Sequence, residues 1–422
     1  MLLLYRLLAL LLTPLALIRL ERGVTQPSER GRWRERLGQV PAGRPGRVWL
    51  HAASVGEINA AQGLVCALLA RDESLLISTL TRTGAARCRE LFGEAVEHRY
   101  LPLDNGPAVK AWLERTRPRL GLIMETEIWP ELFGRCRHLD IPLVLVSARL
   151  SNPAFRRYAR FRQLVGPALR SVDQALAQSR VDGERLVRLG LPNTRLRISG
   201  NLKFDLKLPA GLSNSAAALR RVWGQRPVWT AGSSRPGEET ILLEAHTRLR
   251  QVQPDALLVL APRHPERAEV VAALLDSTGM NWCRHGDPKS AACAVVLVDR
   301  LGMLMDSYAA ADVVFVGGSL VPLGGHNLLE PAALAKPVLA GPHLDQQTEG
   351  AASLEISGGL TIVHNAAEVA SELINLFGDL ELRERRGSQA RAALQSGSGS
   401  LQATLSALAP WLEHDRVVAP DA

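Results

Sequence analysis

Acidic side chains that follow directly on short apolar runs are the residues best placed to do chemistry in this sequence. Ala53-Ser54-Val55-Gly56-Glu57 opens a helical pattern that continues toward Leu69. Gly56 permits a tight strand-to-helix turn, and Glu57 falls in the first helical turn. A carboxylate there is either a helix cap favoured by the helix dipole or a base facing a cleft. Glu125-Thr126-Glu127-Ile128-Trp129-Pro130 sets two acids two residues apart, on one side if the strand continues, and Pro130 suits a following helix. Such a pair does acid–base or cation-binding work, or it divides into one solvated acid and one helix cap.

The second half of the chain offers groups suited to anions and sugars. Thr230-Ala231-Gly232-Ser233-Ser234 stands between a strand and a helix, where free backbone N–H groups of Gly232, Ser233 and Ser234 can hold phosphate or carboxylate. Arg263 and His264 put a fixed cation beside an imidazole after the next strand. Gly317-Gly318-Ser319 and the run from Gly324 to Asn327 follow another, leading into Leu328-Leu329-Glu330, where Glu330 suits ribose hydroxyls. Four such turns at successive strand ends point to a nucleotide. They do not point to a metal: His264 and His326 are far apart, and no H-x-x-x-H or Walker lysine pattern occurs. The five cysteines (66, 88, 136, 283 and 293) form no C-x-x-C pair, so a disulfide scaffold is excluded and a reducing compartment fits.

The elements that must position these residues read as β-α units. Strands are expected at 48–52, 75–79, 98–101, 120–124, 143–147, 174–177 and 196–199, then at 228–231, 256–260, 294–297, 313–316, 337–339 and 360–362. Residues 207–215 read as a linker, 396–400 as a Gly/Ser stretch, and 401–412 as a final helix. At 422 residues the chain exceeds the roughly 250–300 at which one core stops growing. The fold class is therefore α/β, with two tandem Rossmann-like domains at 47–206 and 216–400. A nucleotide on the second and a carboxylate base on the first, facing across a cleft, describe a metal-independent GT-B glycosyltransferase.

Residues 1–20 contain eleven leucines and at about 1.5 Å per residue span roughly the 30 Å hydrocarbon layer. Charge follows this run rather than preceding it: eight arginines against three glutamates between 19 and 47, most of the net +8. A secretory signal has the reverse order. The expectation is a membrane anchor at 1–20, a basic juxtamembrane segment at 21–46 and a cytoplasmic body. A helix buried in a soluble core is the alternative for 1–20. A nucleic-acid arm is the alternative for the basic run, but beside an apolar helix it suits anionic lipid and argues against a nucleic-acid partner.

HAASVGE (51–57), METEIWP (124–130), NLKFD (201–205), PRHPE (262–266), VGGSL (316–320) and GGHNLLE (324–330) occur in this order over nearly the whole chain. Together they resemble the 3-deoxy-D-manno-octulosonic acid (Kdo) transferase family of lipopolysaccharide core assembly. The resemblance implies inverting transfer of Kdo from CMP-Kdo, a substrate rather than a cofactor, to a lipid A precursor at the inner membrane. It implies Glu57 as general base, with Glu127 and Lys203 stabilising the transition state. It further implies CMP contacts from Arg263, His264, Leu301-Gly302-Met303 and Asn327 to Glu330 (Asn327, Leu328, Leu329, Glu330). Met303 stands where the family commonly has Glu, which leaves a backbone contact there but no acidic side chain. Ser54, Gly56, Gly232, Ser233, Ser234, Gly318 and Ser319 remain as anion or donor contacts.

For an acylated, phosphorylated acceptor, residues 155–169 offer one helical face of Phe155, Tyr158, Phe161, Leu164, Val165, Ala168 and Leu169. Arg156, Arg157 and Arg160 border it, either to meet acceptor phosphates and membrane or as the solvated edge of a core helix. Two other readings stay open: a UDP-sugar transferase or nucleotide-sugar epimerase on the same scaffold, and a silent membrane-bound nucleotide-binding protein. The last has no need of Glu57, Glu127 and Lys203.

Overall fold

Short runs rich in Val, Leu and Ile, broken by Gly, Pro and polar turns, form the parallel strands of two sheets. The computed structural model describes residues 1–22, 29–206 and 208–413. Residues 23–28 of the basic segment, residue 207 of the expected linker and the tail after 413 lie outside the described residues. The chain divides into one unit of Met1–Asp205 with Ser398–Ala422, and a second of Leu206–Gly397.

The first unit holds β1 (Val48–His51), β2 (Leu75–Thr79), β3 (Glu97–Tyr100), β4 (Leu120–Met124), β5 (Leu143–Ala148), β6 (Gln174–Ala177) and β7 (Leu196–Ile198). All are parallel, in the order β3-β2-β1-β4-β5-β6-β7. Both faces carry helices, so β1, β2, β4 and β5 are buried throughout. One apolar cluster lies under the helix Val55–Leu69, the other under Gly106–Thr116 and Pro130–His138. In the latter, Trp49 meets Trp112 at 5.1 Å between ring centroids, and Trp49 Nε1 donates to Ser78 Oγ at 2.8 Å, which offsets the cost of burying an indole N–H.

The second unit repeats the plan with β8 (Val228–Ser234), β9 (Leu257–Pro262), β10 (Trp282–Arg284), β11 (Val295–Leu297), β12 (Val313–Val316), β13 (Val338–Ala340) and β14 (Leu360–Ile362). Their order is β10-β11-β9-β8-β12-β13-β14. The strand order reverses between β1 and β4 in the first sheet and between β8 and β12 in the second, where β10 and β11 also change places at the far edge. Ligands of open parallel sheets bind outside the carboxyl ends of strands at such a reversal.

Three local expectations need correction. Residues 155–169 form two helices, Asn152–Arg160 and Arg162–Arg170, meeting at Phe161, whose backbone leaves the helical region. The second sends Val165, Ala168 and Leu169 into the core, while Phe155 and Tyr158 only border it and Phe161 is exposed. The basic segment is largely folded onto the first unit. Arg36 is buried and donates to the carbonyls of Thr79, Leu80 and Leu101, and Arg47 is buried against Glu97. Finally, β10 has no counterpart in the sequence reading, because three residues with an arginine at the sheet edge make no apolar run.

The helix Ser400–Leu412 returns to the first unit, burying Leu405, Leu408 and Leu412 in the same cluster as Leu64 and Leu68. Asp205 fixes its start: the carboxylate accepts the N–H groups of Gly399 and Leu401, each at 2.6 Å.

Candidate functional site

In the first unit the turns after β1 and β4 flank the strand reversal, and they carry the three acids. Ser54 is the N-cap of Val55–Leu69. Glu57 reaches back over that cap: Oε2 accepts the Ala53 N–H at 2.6 Å and Oε1 accepts from Ser54 Oγ at 3.3 Å. Burial pushes the Glu57 carboxyl up to about 7; Glu125 and Glu127 add to the rise, and the bonds from Ala53 and Ser54 oppose it. A carboxylate oriented by the backbone just ahead of its helix, with a proton affinity near neutral, has the properties of a general base. Gly56 is plainly helical, and an added Cβ would meet only Ser54 Oγ at 3.8 Å. The turn does not require glycine there.

After β4, Glu125 adopts φ +52, an uncommon conformation for a residue with a side chain. Its N–H bonds Val146 O at 3.0 Å, and its Oε1 accepts from Lys203 Nζ at 2.9 Å. Lys203 therefore pairs with Glu125, the acid that family likeness does not single out. Burial, then neighbouring Glu125, raises the Glu127 carboxyl above its usual range. Lys203 sits in a short helical turn, Leu202–Phe204, capped by Asn201 Oδ1 accepting the Lys203 N–H at 3.0 Å. Below it, Gln178 Nε2 donates to Ser147 O and Oγ at 3.0 and 3.1 Å. The helix Asn152–Arg160 lies beside the acid turn, Tyr158 Oη donating to Thr126 O at 3.5 Å, with Arg156, Arg157 and Arg160 exposed on it.

In the second unit the expected anion turns are partly satisfied from within. Gly232, Ser233 and Ser234 belong to β8, not to a loop after it, and all three are buried. A Cβ on Gly232 would lie 2.1 Å from the Tyr308 hydroxyl, so this glycine serves packing. Ser234 Oγ donates to Glu239 at 3.1 Å. The N–H groups of Gly318, Ser319 and Leu320 already hold an anion: the buried Glu238 carboxylate accepts them at 2.7, 2.9 and 2.8 Å, and the Arg235 N–H at 2.9 Å.

What the strand reversal of this unit leaves open is a pair of guanidinium groups with two imidazoles beside them. Arg235 follows β8, Arg263 and His264 follow β9, and His326 follows β12 by the VGGSL turn. His264 hydrogen-bonds Arg235. Burial, then the charges of Arg263, Arg235 and His264, push the His326 imidazole down to about 4. Gly318, at φ +70, leaves room for that ring, since a Cβ would lie 2.9 Å from it. Arg235 and His326 are absent from the sequence-derived site, though both stand directly beside its glycines and serines. Asn327 turns inward, its Nδ2 donating to Glu330 Oε1 at 3.0 Å and its Oδ1 accepting the Leu329 N–H at 3.1 Å. Leu328 and Leu329 are buried, so only their backbone can face a ligand. Leu301 is exposed, Gly302 has φ +88, and Met303 caps the helix Leu304–Ala310. Among the described residues no group of three or more His, Cys, Asp or Glu side chains is placed to hold a metal ion.

Two Rossmann-like units, acids at the strand reversal of one and cations at that of the other, define a nucleotide-sugar glycosyltransferase of GT-B type. Residues 31–206 match the family described as 3-Deoxy-D-manno-octulosonic-acid transferase (kdotransferase). The chain is 37% identical over 402 residues to the 3-deoxy-D-manno-octulosonic acid transferase of Haemophilus influenzae, covering 93% of this chain and 94% of that one. It is 36% identical over 386 residues to the Bordetella pertussis enzyme of the same name, covering 89% of each. The UDP-GlcNAc 2-epimerase of Neisseria meningitidis, solved with UDP-GlcNAc, shares the fold at TM-score 0.57 and 14% identity, covering 85% of this chain and all of that one. The chain belongs to the Kdo transferase family.

Proposed function

We propose that this enzyme transfers Kdo from CMP-Kdo to lipid IVA, a lipid A precursor, with inversion at the anomeric carbon. The transfer builds the lipopolysaccharide inner core, on the cytoplasmic face of the inner membrane. The observation that carries the reading is Glu57: a carboxylate fixed by Ala53 and Ser54, held near neutral proton affinity, and flanked by Glu125 and Glu127. Glu57 takes the proton of an acceptor hydroxyl. The freed oxygen bonds to the anomeric carbon of Kdo, and the bond from that carbon to the CMP phosphate oxygen breaks, its electron pair leaving on CMP. Arg235 and Arg263 supply the positive field that a departing phosphate needs, with the His264 imidazole held beside them by Arg235, and Lys203, held by Glu125, stabilises developing negative charge. Glu330 suits the ribose, while Leu301-Gly302-Met303 and Asn327 to Leu329 offer backbone to the nucleotide. Exposed Arg156, Arg157 and Arg160, beside the acid turn, suit the acceptor phosphates.

The test is to incubate the purified full chain with CMP-Kdo and tetraacylated lipid IVA in EDTA and weigh the lipid by mass spectrometry. The expected product is lipid IVA heavier by one or more Kdo units. Activity only with a UDP-sugar, or only after a divalent ion is restored, would overturn the reading.

A further inference from the structure

The helix Leu2–Glu21 is long and apolar enough to cross a membrane, yet one side of it is docked on protein. Tyr5, Ala9, Thr13, Ala16 and Leu17 are its partly covered positions, spaced three or four apart on one stripe. Tyr5 Oη donates to Asp104 Oδ2 at 2.6 Å, and Arg6 donates to both oxygens of Glu131 at 2.7 and 3.3 Å. Asn105 Nδ2 donates to Thr13 Oγ1 at 3.1 Å, and Arg82 donates to the Leu20 carbonyl at 2.9 Å. These contacts run from residue 5 to residue 20, about 22 Å of helix axis. The opposite stripe, Leu3, Leu7, Leu11 and Leu15, is 60–75% exposed.

A helix crossing the bilayer is surrounded by lipid along its length. To cross here it would have to draw Asp104, Asn105 and Glu131 into hydrocarbon, or abandon them. With this helix in place Glu131 is only 4% exposed and Asp104 8%, so abandoning them gives up charge-assisted hydrogen bonds made in a covered site. Lying flat satisfies both sides at once: the body of the protein supplies the polar face that an interfacial helix ordinarily carries itself. Arg19 and Arg22 then stand at headgroup level, and a cavity of about 340 Å³ lined by Arg19, Trp33 and Arg82 opens at that end of the helix, charge suited to an anionic leaflet.

Resting on the membrane reading above, we infer that Leu2–Glu21 lies in the plane of one anionic phospholipid leaflet. It is latched to the first unit by Tyr5–Asp104 and Arg6–Glu131. The latch bears on the proposed active-site acids, because Asp104 also accepts the N–H groups of Glu131 and Leu132, at 3.0 and 2.8 Å, in the helix that begins at Pro130, three residues after Glu127.

The experiment uses the full chain in vesicles of phosphatidylethanolamine and phosphatidylglycerol, with Cys66→Ser removing the one exposed native thiol. Nitroxides at Leu3→Cys, Leu11→Cys and Ile18→Cys report depth by collision with oxygen and with a nickel chelate. In-plane placement gives three similar depths. A graded profile, with position 11 deepest and its neighbours roughly 10–12 Å shallower, is the signature of a spanning helix and would overturn the inference. Arg6→Ala should increase nitroxide mobility at position 3, and pairing Arg6→Glu with Glu131→Arg should restore it; unchanged mobility in Arg6→Ala would remove the latch. Flotation of the same samples keeps the two readings apart, since failure to bind vesicles at all overturns membrane association itself.

Discussion

Glu57 reaches back across the start of its own helix to the Ala53 N–H and the Ser54 hydroxyl, and that reach orients the carboxylate proposed as the base. Spacing alone leaves cap and base as alternatives for Glu57, and it does not reveal the bonds to Ala53 and Ser54 that orient the carboxylate. Desolvation has a cost that is visible in stability. The folded-state proton affinity is raised to about 7 from the ordinary carboxylate value, so the stability of the site is fully present below about pH 4.5 and lost as pH rises through about 7. Glu57→Gln is therefore expected to raise Tm by about 2–4 °C at pH 8 and to leave it unchanged at pH 4.5, in thermal unfolding followed by circular dichroism. Equal Tm differences at both pH values would contradict the burial argument. Glu238 is the opposite case, a buried acid that serves the fold. Glu238→Ala leaves the N–H groups of Gly318, Ser319 and Leu320 without their acceptor, at about 1–3 kcal/mol each, so urea unfolding should lose at least about 3 kcal/mol. A loss below 1 kcal/mol would mean that water replaces the carboxylate. The VGGSL turn is legible in sequence as an anion holder. That its anion comes from 80 residues earlier in the chain is not.

At the scale of elements, the strands are readable because parallel strands covered on both faces are continuous apolar runs, as in LVLVSA of β5. The same logic fails at β10, which has one buried residue in three, and at the end of β8, where Gly and Ser read as a turn yet complete a buried strand. Periodicity also ran the two helices around Phe161 together, since it registers spacing and not direction. The acids and their turns were readable because each follows a strand; the Lys203–Glu125 pairing was not, as it joins positions 78 residues apart. Asp205 is a similar long-range device, tying the end of the NLKFD motif to the first turn of the helix Ser400–Leu412. Asp205→Ala removes both acceptors, and a lost cap costs about 1 kcal/mol. Amide exchange across residues 400–412 should accelerate by about fivefold or more while β1 and β4 stay protected. Unchanged exchange in the helix would show that the packing of Leu405 and Leu408 holds it alone.

At the scale of the whole molecule, a net charge of +8 and an apolar helix with outward-facing leucines suit the phosphorylated lipid acceptor proposed for this enzyme. Arg156, Arg157 and Arg160 near the acid turn should bear on acceptor and not on donor. Replacing all three with Ser is expected to raise the lipid IVA KM by tenfold or more at low salt, at about 1 kcal/mol per charge, with the effect shrinking as salt is added and the CMP-Kdo KM unchanged. Equal movement of both constants would place the acceptor elsewhere. The central claim is that Glu57 removes the acceptor proton, and the pH dependence of turnover tests it most directly. With saturating CMP-Kdo and lipid IVA, kcat of the wild-type enzyme should rise with pH through about 7 as the carboxyl loses its proton, because only the carboxylate can accept another. Glu57→Gln should fold, bind CMP and fall by at least about a hundredfold, with the rise near 7 abolished. A Glu57→Gln enzyme that keeps near-wild-type kcat with the same rise near pH 7 would contradict the assignment and move the base to another residue.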